Sequence, residues 1–334
     1  MMLRRMGIIA AILVLPLAPA AAETVKVGLA RNGGGGGAPV FIAMKKGYFA
    51  AEGIAIEPVF FEASGPIAAG VVSGSVDFGA TGVSAGLYNL AGQGALRIID
   101  GITHEEPGFQ SMAVLASPRA YEAGLRSVRE LAGHTVGITQ LGNGAHYSVA
   151  LIEDKYGIDP KSVRFVQLQS NANVVSATSG GQVDAASAPI LTFAQDVEHG
   201  QSKVLAYVGD ETPWQNAVLF TATKTADERQ DMVERFLSAV HKGQRDYHDA
   251  FSGPDGKRQD GPIAPEIVAI IGDSFGQAPE SVRQAISYTD PEGRLDFHDL
   301  LHQIAWFRAQ GMVKEGFDAA SVIDKRYAKP LPEK

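Results

Sequence analysis

No cysteine occurs anywhere in the 334 residues. That absence excludes disulfides, thiolate metal sites and a cysteine nucleophile. No apolar run is long enough to span a bilayer, and no Lys/Arg-rich run stands out, which argues against nucleic acid and anionic membrane surfaces as partners. A Gly-x-Ser-x-Gly nucleophile elbow is missing. His104, His134 and His146 offer no HxxxH or HxxE spacing for a metal, so no metal site is expected.

The first 22 residues read as a cleavable export leader rather than as fold. Arg4-Arg5 form the positive segment, Ile8 to Leu17 the apolar one, and Ala18-Pro19-Ala20 or Ala20-Ala21-Ala22 the small-residue cleavage site. No cysteine follows, so no lipid can be attached there, and the expected product is a periplasmic protein that is not a lipoprotein. Loss of Arg4 and Arg5 leaves 27 Lys+Arg against 37 Asp+Glu, a net charge of −10. The remaining length suits two domains of ordinary size.

The most informative stretch opens the mature chain. Val25 to Leu29 alternates as a strand, five glycines follow at Gly33 to Gly37, and Pro39, Phe41, Met44 and Lys45 start a helix. Glycines without Cβ let backbone lie close to a ligand, and free N–H groups at a helix start favour a polar or anionic one. Ala38-Pro39 in place of Lys-Ser or Lys-Thr rules out a Walker loop. Gly33, Gly35 and Ala38, with Glu57 or Glu62 some twenty residues on, formally meet a dinucleotide fingerprint; five glycines in a row meet almost any glycine pattern.

Further along, strands at Ile54–Phe61, Val76–Ala80 and Leu96–Ile102 alternate with helices at Pro66–Val72 and Ser84–Leu90. This alternation predicts a parallel sheet with helices on its faces. The pattern then restarts. Thr135-Val-Gly137-Ile echoes Lys26-Val-Gly28-Leu at an offset of 109, and Gly181-Gln-Val183-Asp184 echoes Gly74-Ser-Val76-Asp77 at 107. Two similar α/β lobes follow from that shared register. Strands at Lys203–Val208 and Val218–Thr223 come next, then a long amphipathic helix from Ala226 to Phe251, a loop at Ser252–Pro262, and helices at Pro265–Phe275, Pro279–Ile286 and Phe297–Gln310. The late helices need a sheet to cover, which makes lobe 2 an insertion. The expected limits are 23–111 with 218–334 for lobe 1 and 112–217 for lobe 2, with crossings near Pro107–Val114 and Thr212–Leu219. Asp77 and Asp184, at matching positions, read as turn or capping residues.

Lys46-Gly-Tyr-Phe-Ala-Ala-Glu-Gly53, Gly74-Ser-Val-Asp-Phe-Gly79, Gly142-Asn-Gly-Ala-His-Tyr147 and Gly181-Gln-Val-Asp-Ala185 resemble the periplasmic solute-binding proteins of the nitrate/sulfonate/taurine and thiamine-precursor (NMT1/THI5-like) family. The resemblance runs from Val25 to about Tyr327. It implies a type II periplasmic binding protein fold, α/β and two-lobed, with helices on both faces of each sheet and two hinge crossings. It also implies a ligand held between the lobes by Arg31–Ala38, Thr81–Ser84, Gly142–Tyr147 and Ser187–Pro189. The expected ligand-binding residues are Arg31, Asn32, Gly35, Thr81, Ser84, Asn143, Gly144, His146, Ser187 and Trp214. Thr81 and Ser84 could equally cap a helix, Arg31 could form a surface ion pair, His146 could simply be packed, and Trp214 could anchor the hinge. Asn143-Gly144 replace two serines of the family's Gly-Ser-Ser-Ala-His-Tyr loop, which makes a carboxylate or neutral polar ligand as good a fit as a sulfonate.

The resemblance further implies a monomer that captures a small organic ligand, anionic or aromatic, and delivers it to the permease and ATPase subunits of an ABC importer, without membrane insertion. No cofactor is expected. Two enzymes resemble this fold, a thiamine-pyrimidine synthase and a sulfinate-cleaving enzyme; both depend on cysteine, which this chain lacks. An exported nucleotide-dependent oxidoreductase using Gly33–Ala38 is the enzyme alternative.

Overall fold

A computed structural model describes residues 22–31 and 36–332. The leader, Asn32 and Gly33 to Gly35 lie outside the described residues. Among the described residues, ten strands build two five-stranded sheets: β1 (Glu23–Ala30), β2 (Ile54–Phe61), β3 (Phe78–Gly82), β4 (Leu96–Glu105) and β10 (Trp214–Ala222) in one, and β5 (Met112–Ala116), β6 (Thr135–Ile138), β7 (Arg164–Gln167), β8 (Ala185–Pro189) and β9 (Lys203–Tyr207) in the other. The strand orders are β2-β1-β3-β10-β4 and β7-β6-β8-β5-β9, the same pattern twice.

The repeat seen in the sequence is a repeat of register. Val27 pairs with Phe78 and Gly28 with Gly79 in the first sheet; Val136 pairs with Ala185 and Gly137 with Ala186 in the second. The offsets of 109 and 107 are therefore those of equivalent paired strands. Gly28 and Gly137 recur because the space a Cβ would need is filled in the same way. Val76 and Ile67 approach within 3.2 Å in one lobe, Val183 and Leu168 in the other.

Asp77 and Asp184 are sheet anchors rather than turn or capping residues. Asp77 accepts from the Lys26 N–H at 2.8 Å, and Asp184 from the Thr135 N–H at 3.0 Å and the Thr135 hydroxyl at 2.8 Å. Each carboxylate ties the entry of one parallel strand to the start of the next. Arg229 adds a guanidinium to Asp77 and to Glu23.

Each sheet is mixed, where the alternation of strands and helices predicted a parallel one. β10 runs antiparallel to both β3 and β4, and β5 antiparallel to β8 and β9. These are the strands that arrive from the opposite lobe, so they enter their sheets from the other end. The chain crosses between lobes through 106–111 and 208–213. The crossings touch: Asp210 accepts the Gly108 N–H at 2.7 Å, and a Cβ on Gly209 would lie 2.5 Å from the Glu106 carbonyl oxygen. The expected boundary at 217/218 falls inside β10, whose pairing with β4 begins at Trp214 opposite Glu105.

Helix Gln230–Phe251 buries Met232, Val233, Phe236, Leu237 and Val240 against the first sheet, with Phe236 stacked on Phe78 at 3.8 Å between ring centres. Burying a ring of that size is worth roughly 1.5–3 kcal/mol. The expected single helix from Ala226 is two, because Arg229 leaves the helical region between Thr223–Glu228 and Gln230–Phe251. Helix Phe297–Ala309 bridges the lobes. Its Asp299 accepts the Tyr147 hydroxyl at 2.9 Å from lobe 2 and the Gln215 N–H at 2.8 Å from β10.

Candidate functional site

Between the two sheets lies a cleft with about 710 Å³ of empty space, open at its mouth. Three helix starts converge on it: that of Ser64–Ser73 from lobe 1, and those of Gly144–Tyr156 and Asn171–Ser179 from lobe 2. Helix starts carry unpaired N–H groups and partial positive charge. Ala63, the residue before the first of these helices, provides no side-chain cap, so that turn keeps its donors.

Thr81, Asn143, Gly144 and Ser187, all expected, border this cleft. Asn143 caps its helix, its Oδ1 accepting the His146 N–H at 3.0 Å while its Nδ2 donates to the Thr139 hydroxyl at 2.7 Å. One residue thus does the capping work of a serine and also fixes a neighbouring hydroxyl in the cleft wall. Ser187 is buried and shares a hydrogen bond with the Ser148 hydroxyl at 3.0 Å.

Other expected residues sit elsewhere. Ser84 caps the helix Ala85–Gly92 by accepting the Leu87 N–H and is buried outside the cleft lining. Arg31 turns to the rim, where it pairs with Glu62 at 2.7 Å and lies over the Phe60 ring, half exposed. His146 faces away. Gly144 and Ala145 line the cleft, and one further step of about 100° around the helix carries its side chain to the outer face. There Nδ1 accepts the Gly142 N–H at 3.2 Å, and the ring packs edge-on to Phe165 and Trp306. Burial lowers its pKa to about 4, which keeps it neutral. Trp214 is wholly buried at the start of β10, edge-on to Tyr147 of lobe 2. It anchors the hinge, and Gly144 is glycine because a Cβ there would lie 2.6 Å from the indole. Asn32 and Gly35 fall outside the described residues.

Several lining residues went unread in the sequence: Ser64, Asn171, Thr139, Ser111 and Asn216. Ser64 and Asn171 are 107 residues apart, the offset of the repeat, so aligning the lobes could have found them. Ser111 and Asn216 lie where the chain passes between lobes, and no local pattern marks them. Asn216 donates to the buried Glu105 carboxylate at 2.6 Å and to the Ser111 hydroxyl at 3.3 Å. Burial raises the Glu105 pKa, while Ser111, Asn216 and the Met112 N–H oppose the rise. Gln169, the one non-glycine residue with positive φ among those described (φ 70°), lies two residues before Asn171 in the loop that brings that helix start to the cleft. Held strain of this kind favours a positioning role for the loop.

No cationic side chain borders the cleft among the described residues, and its single acid, Glu62, is already paired with Arg31. The donors are hydroxyls, amides and helix-start N–H groups. The nucleotide alternative gains nothing from this geometry, since Glu57 and Glu62, its candidate ribose acids, face Lys26 and Arg31. Among the described residues no cluster of three or more metal-type side chains occurs.

The NMT1/THI5-like family model matches residues 36–256. The chain belongs to that family. No curated protein sequence matches it. Among solved structures, it is similar to the alkanesulfonate-binding protein SsuA from Xanthomonas axonopodis pv. citri bound to MOPS, at 17% identity and a TM-score of 0.68, with 91% of this chain and 99% of that one covered. The periplasmic nitrate-binding protein NrtA from Synechocystis PCC 6803 gives 14% identity and 0.67, covering 91% and 86%. A cysteine-to-serine mutant of DSZB in complex with biphenyl-2-sulfinic acid gives 13% and 0.60, covering 92% and 97%. At these identities the likeness is one of fold, the two-lobed periplasmic-binding-protein architecture.

Proposed function

We propose that this NMT1/THI5-like protein is an extracytoplasmic solute-binding protein, exported by its leader into the periplasm. It captures a small organic ligand between its lobes and passes it, as a monomer, to the permease and ATPase subunits of an ABC importer. The observation that carries this reading is the convergence of three helix starts, one from lobe 1 and two from lobe 2, on one cleft. A ligand there gains from both lobes at once, and only when they are together, so it favours the closed form through differential contacts. The sulfonate and nitrate ligands named for two of the similar structures are compact oxyanions. A carboxylate, a sulfonate or a neutral polar head suits hydroxyl, amide and N–H donors without a side-chain cation. Thr81, Asn143 and Ser187 are the side chains assigned to the head group.

Lobe 1 comprises β1–β4, β10 and the late helices; lobe 2 comprises β5–β9 and their helices. The role is binding without catalysis: DSZB shares the fold, but its mutated cysteine has no counterpart in a chain without cysteine.

The test is ligand-dependent thermal unfolding against taurine, alkyl and aryl sulfonates, nitrate, aromatic carboxylates, thiamine pyrimidines and NAD. A ligand at a hundred times its Kd adds about 2.7 kcal/mol. Both tryptophans, Trp214 and Trp306, pack on Tyr147 where the lobes meet, so intrinsic fluorescence should report closure independently. Stabilisation by NAD alone would overturn the proposal.

A further inference from the structure

The start of helix Ala85–Gly92 in lobe 1 is taken by lobe 2. Its first N–H, at Ala85, has no partner within its own helix and donates instead to the Gly142 carbonyl at 2.7 Å. Ser84 and Asn143, the cap residues of two helices from opposite lobes, pair beside it as a single antiparallel bridge. Gly82 and Val83 in lobe 1, and Asn143 and Gly144 in lobe 2, border the cleft, so this contact lies at its edge.

Gly142 fits there because it is glycine. Its φ is 78°, and a Cβ would lie 3.2 Å from the Ala85 Cβ and 3.4 Å from the Met312 Sδ. Both walls of that slot belong to lobe 1, and Asn89 holds one to the other. Its Nδ2 donates to the Met312 carbonyl at 2.8 Å, and its Oδ1 accepts the Lys314 N–H at 2.9 Å. On the lobe 2 side, the Gly142 N–H donates to His146 Nδ1 at 3.2 Å. The donor and acceptor are thus each fixed within their own lobe, and the bond between them joins the lobes directly.

We propose that the Ala85–Gly142 hydrogen bond is an interlobe latch, which positions the loop carrying Asn143 and Gly144 against lobe 1 and favours closure before any solute arrives. Both of its atoms belong to the chain, so it needs no solute to form. Its purpose rests on the binding-protein reading of the cleft: a solute enters through the unlatched form and then completes the closure. Loss of one neutral hydrogen bond shifts such a two-state equilibrium by about two- to tenfold.

Ala85→Pro removes the latch donor and sets a ring carbon against the Gly142 carbonyl. Proline is well accepted at the first helical position, where the helix does not use the N–H. Ser84, at φ −158° and ψ 157°, already has the extended backbone that a residue before proline adopts. Gly142→Ala attacks the same contact from lobe 2. Because the chain has no cysteine, spin labels can be confined to Ala55→Cys and Arg164→Cys, exposed sites on the edge strands β2 and β7. Pulsed electron paramagnetic resonance is then run on protein freed of solute by unfolding and refolding. The labelled parent should show mainly the short separation of the structure. Each latch variant should add a longer one, its share raised about two- to tenfold, with circular dichroism checking the fold. In the unaltered protein the Ala85 amide should exchange its hydrogen slowly although its own helix gives it no partner. A parent that is mainly long, distances unchanged in a folded latch variant, or free exchange at Ala85 would each overturn the latch and leave the cleft reading standing.

Discussion

Asn216→Ala should destabilise the protein by an amount that depends on pH. Asn216 lies on β10 at the hinge, with Nδ2 2.6 Å from the fully buried carboxylate of Glu105. Removing a hydrogen bond to a charged, buried partner costs about 1.5–3 kcal/mol. The upper end of that range is not expected, since the Met112 N–H at 3.3 Å, Ser111 and the nearby His104 still support the carboxylate. For a chain this size the loss corresponds to roughly 2–5 °C in Tm. The sign follows from linkage. Burial raises the Glu105 pKa in the folded state, so its contribution to stability is full below the ordinary carboxyl pKa and is lost as pH rises through the folded value. Losing the Asn216 donor raises that folded value further. The variant's deficit against wild type should therefore be small near the ordinary carboxyl pKa of about 4 and grow as pH rises above it. Ligand-free thermal melts across that range measure it, and Asn216→Asp, placing a second carboxylate against the first, should show a steeper dependence. An equal deficit at every pH would refute the reasoning, because Asn216 would then not be acting on the charge of Glu105.

Further expectations follow from other contacts. Burial would lower the pKa of His104, but the Asp296 and Glu106 carboxylates, 3.6 and 3.3 Å away, outweigh it and raise the value to about 9. The stability this gives is complete below the ordinary histidine value and lost as pH rises through about 9, so His104→Gln should flatten the wild-type decline in Tm on the alkaline side. Arg31→Ala, at a residue the sequence placed among the ligand contacts, should weaken an acidic ligand by less than about tenfold. The side chain is about half exposed and already paired with Glu62, and stability should change by about 0.5 kcal/mol or less in melts. Gly144→Ala drives a methyl to 2.6 Å from Trp214 and should cost about 1–3 kcal/mol, with a change in tryptophan fluorescence. Ser187→Ala should weaken the ligand in titration by a few-fold to tenfold, as the loss of one neutral hydrogen bond would.

Much of the frame was legible before any coordinates. Period-two and helical patterns gave β2 with its observed limits and the run of helices after β10, because burial on one face leaves its period in the chain. The echo of Val-Gly and Val-Asp at nearly one offset carried the two-lobed plan, since equivalent strands need the same small residue under the same apolar neighbours. The cleft was half legible. Thr81, Asn143, Gly144 and Ser187 sit at strand ends or helix starts, where local sequence marks them. Ser111 and Asn216 depend on which strands meet at the hinge, and nothing nearby in the chain encodes that meeting.

By itself the sequence determined composition, strand and helix pattern and the repeat, all of which are written within a few tens of residues. Only the tertiary structure decided the antiparallel entry of β5 and β10, because a strand's direction is set by the lobe it comes from. It decided that His146 faces the outer side of its helix and Trp214 the lobe contact, because rotation of about 100° per residue separates neighbours onto different faces. It also joined Ala85 and Gly142, 57 residues apart, in one hydrogen bond between the lobes, a proximity that only the folded chain creates.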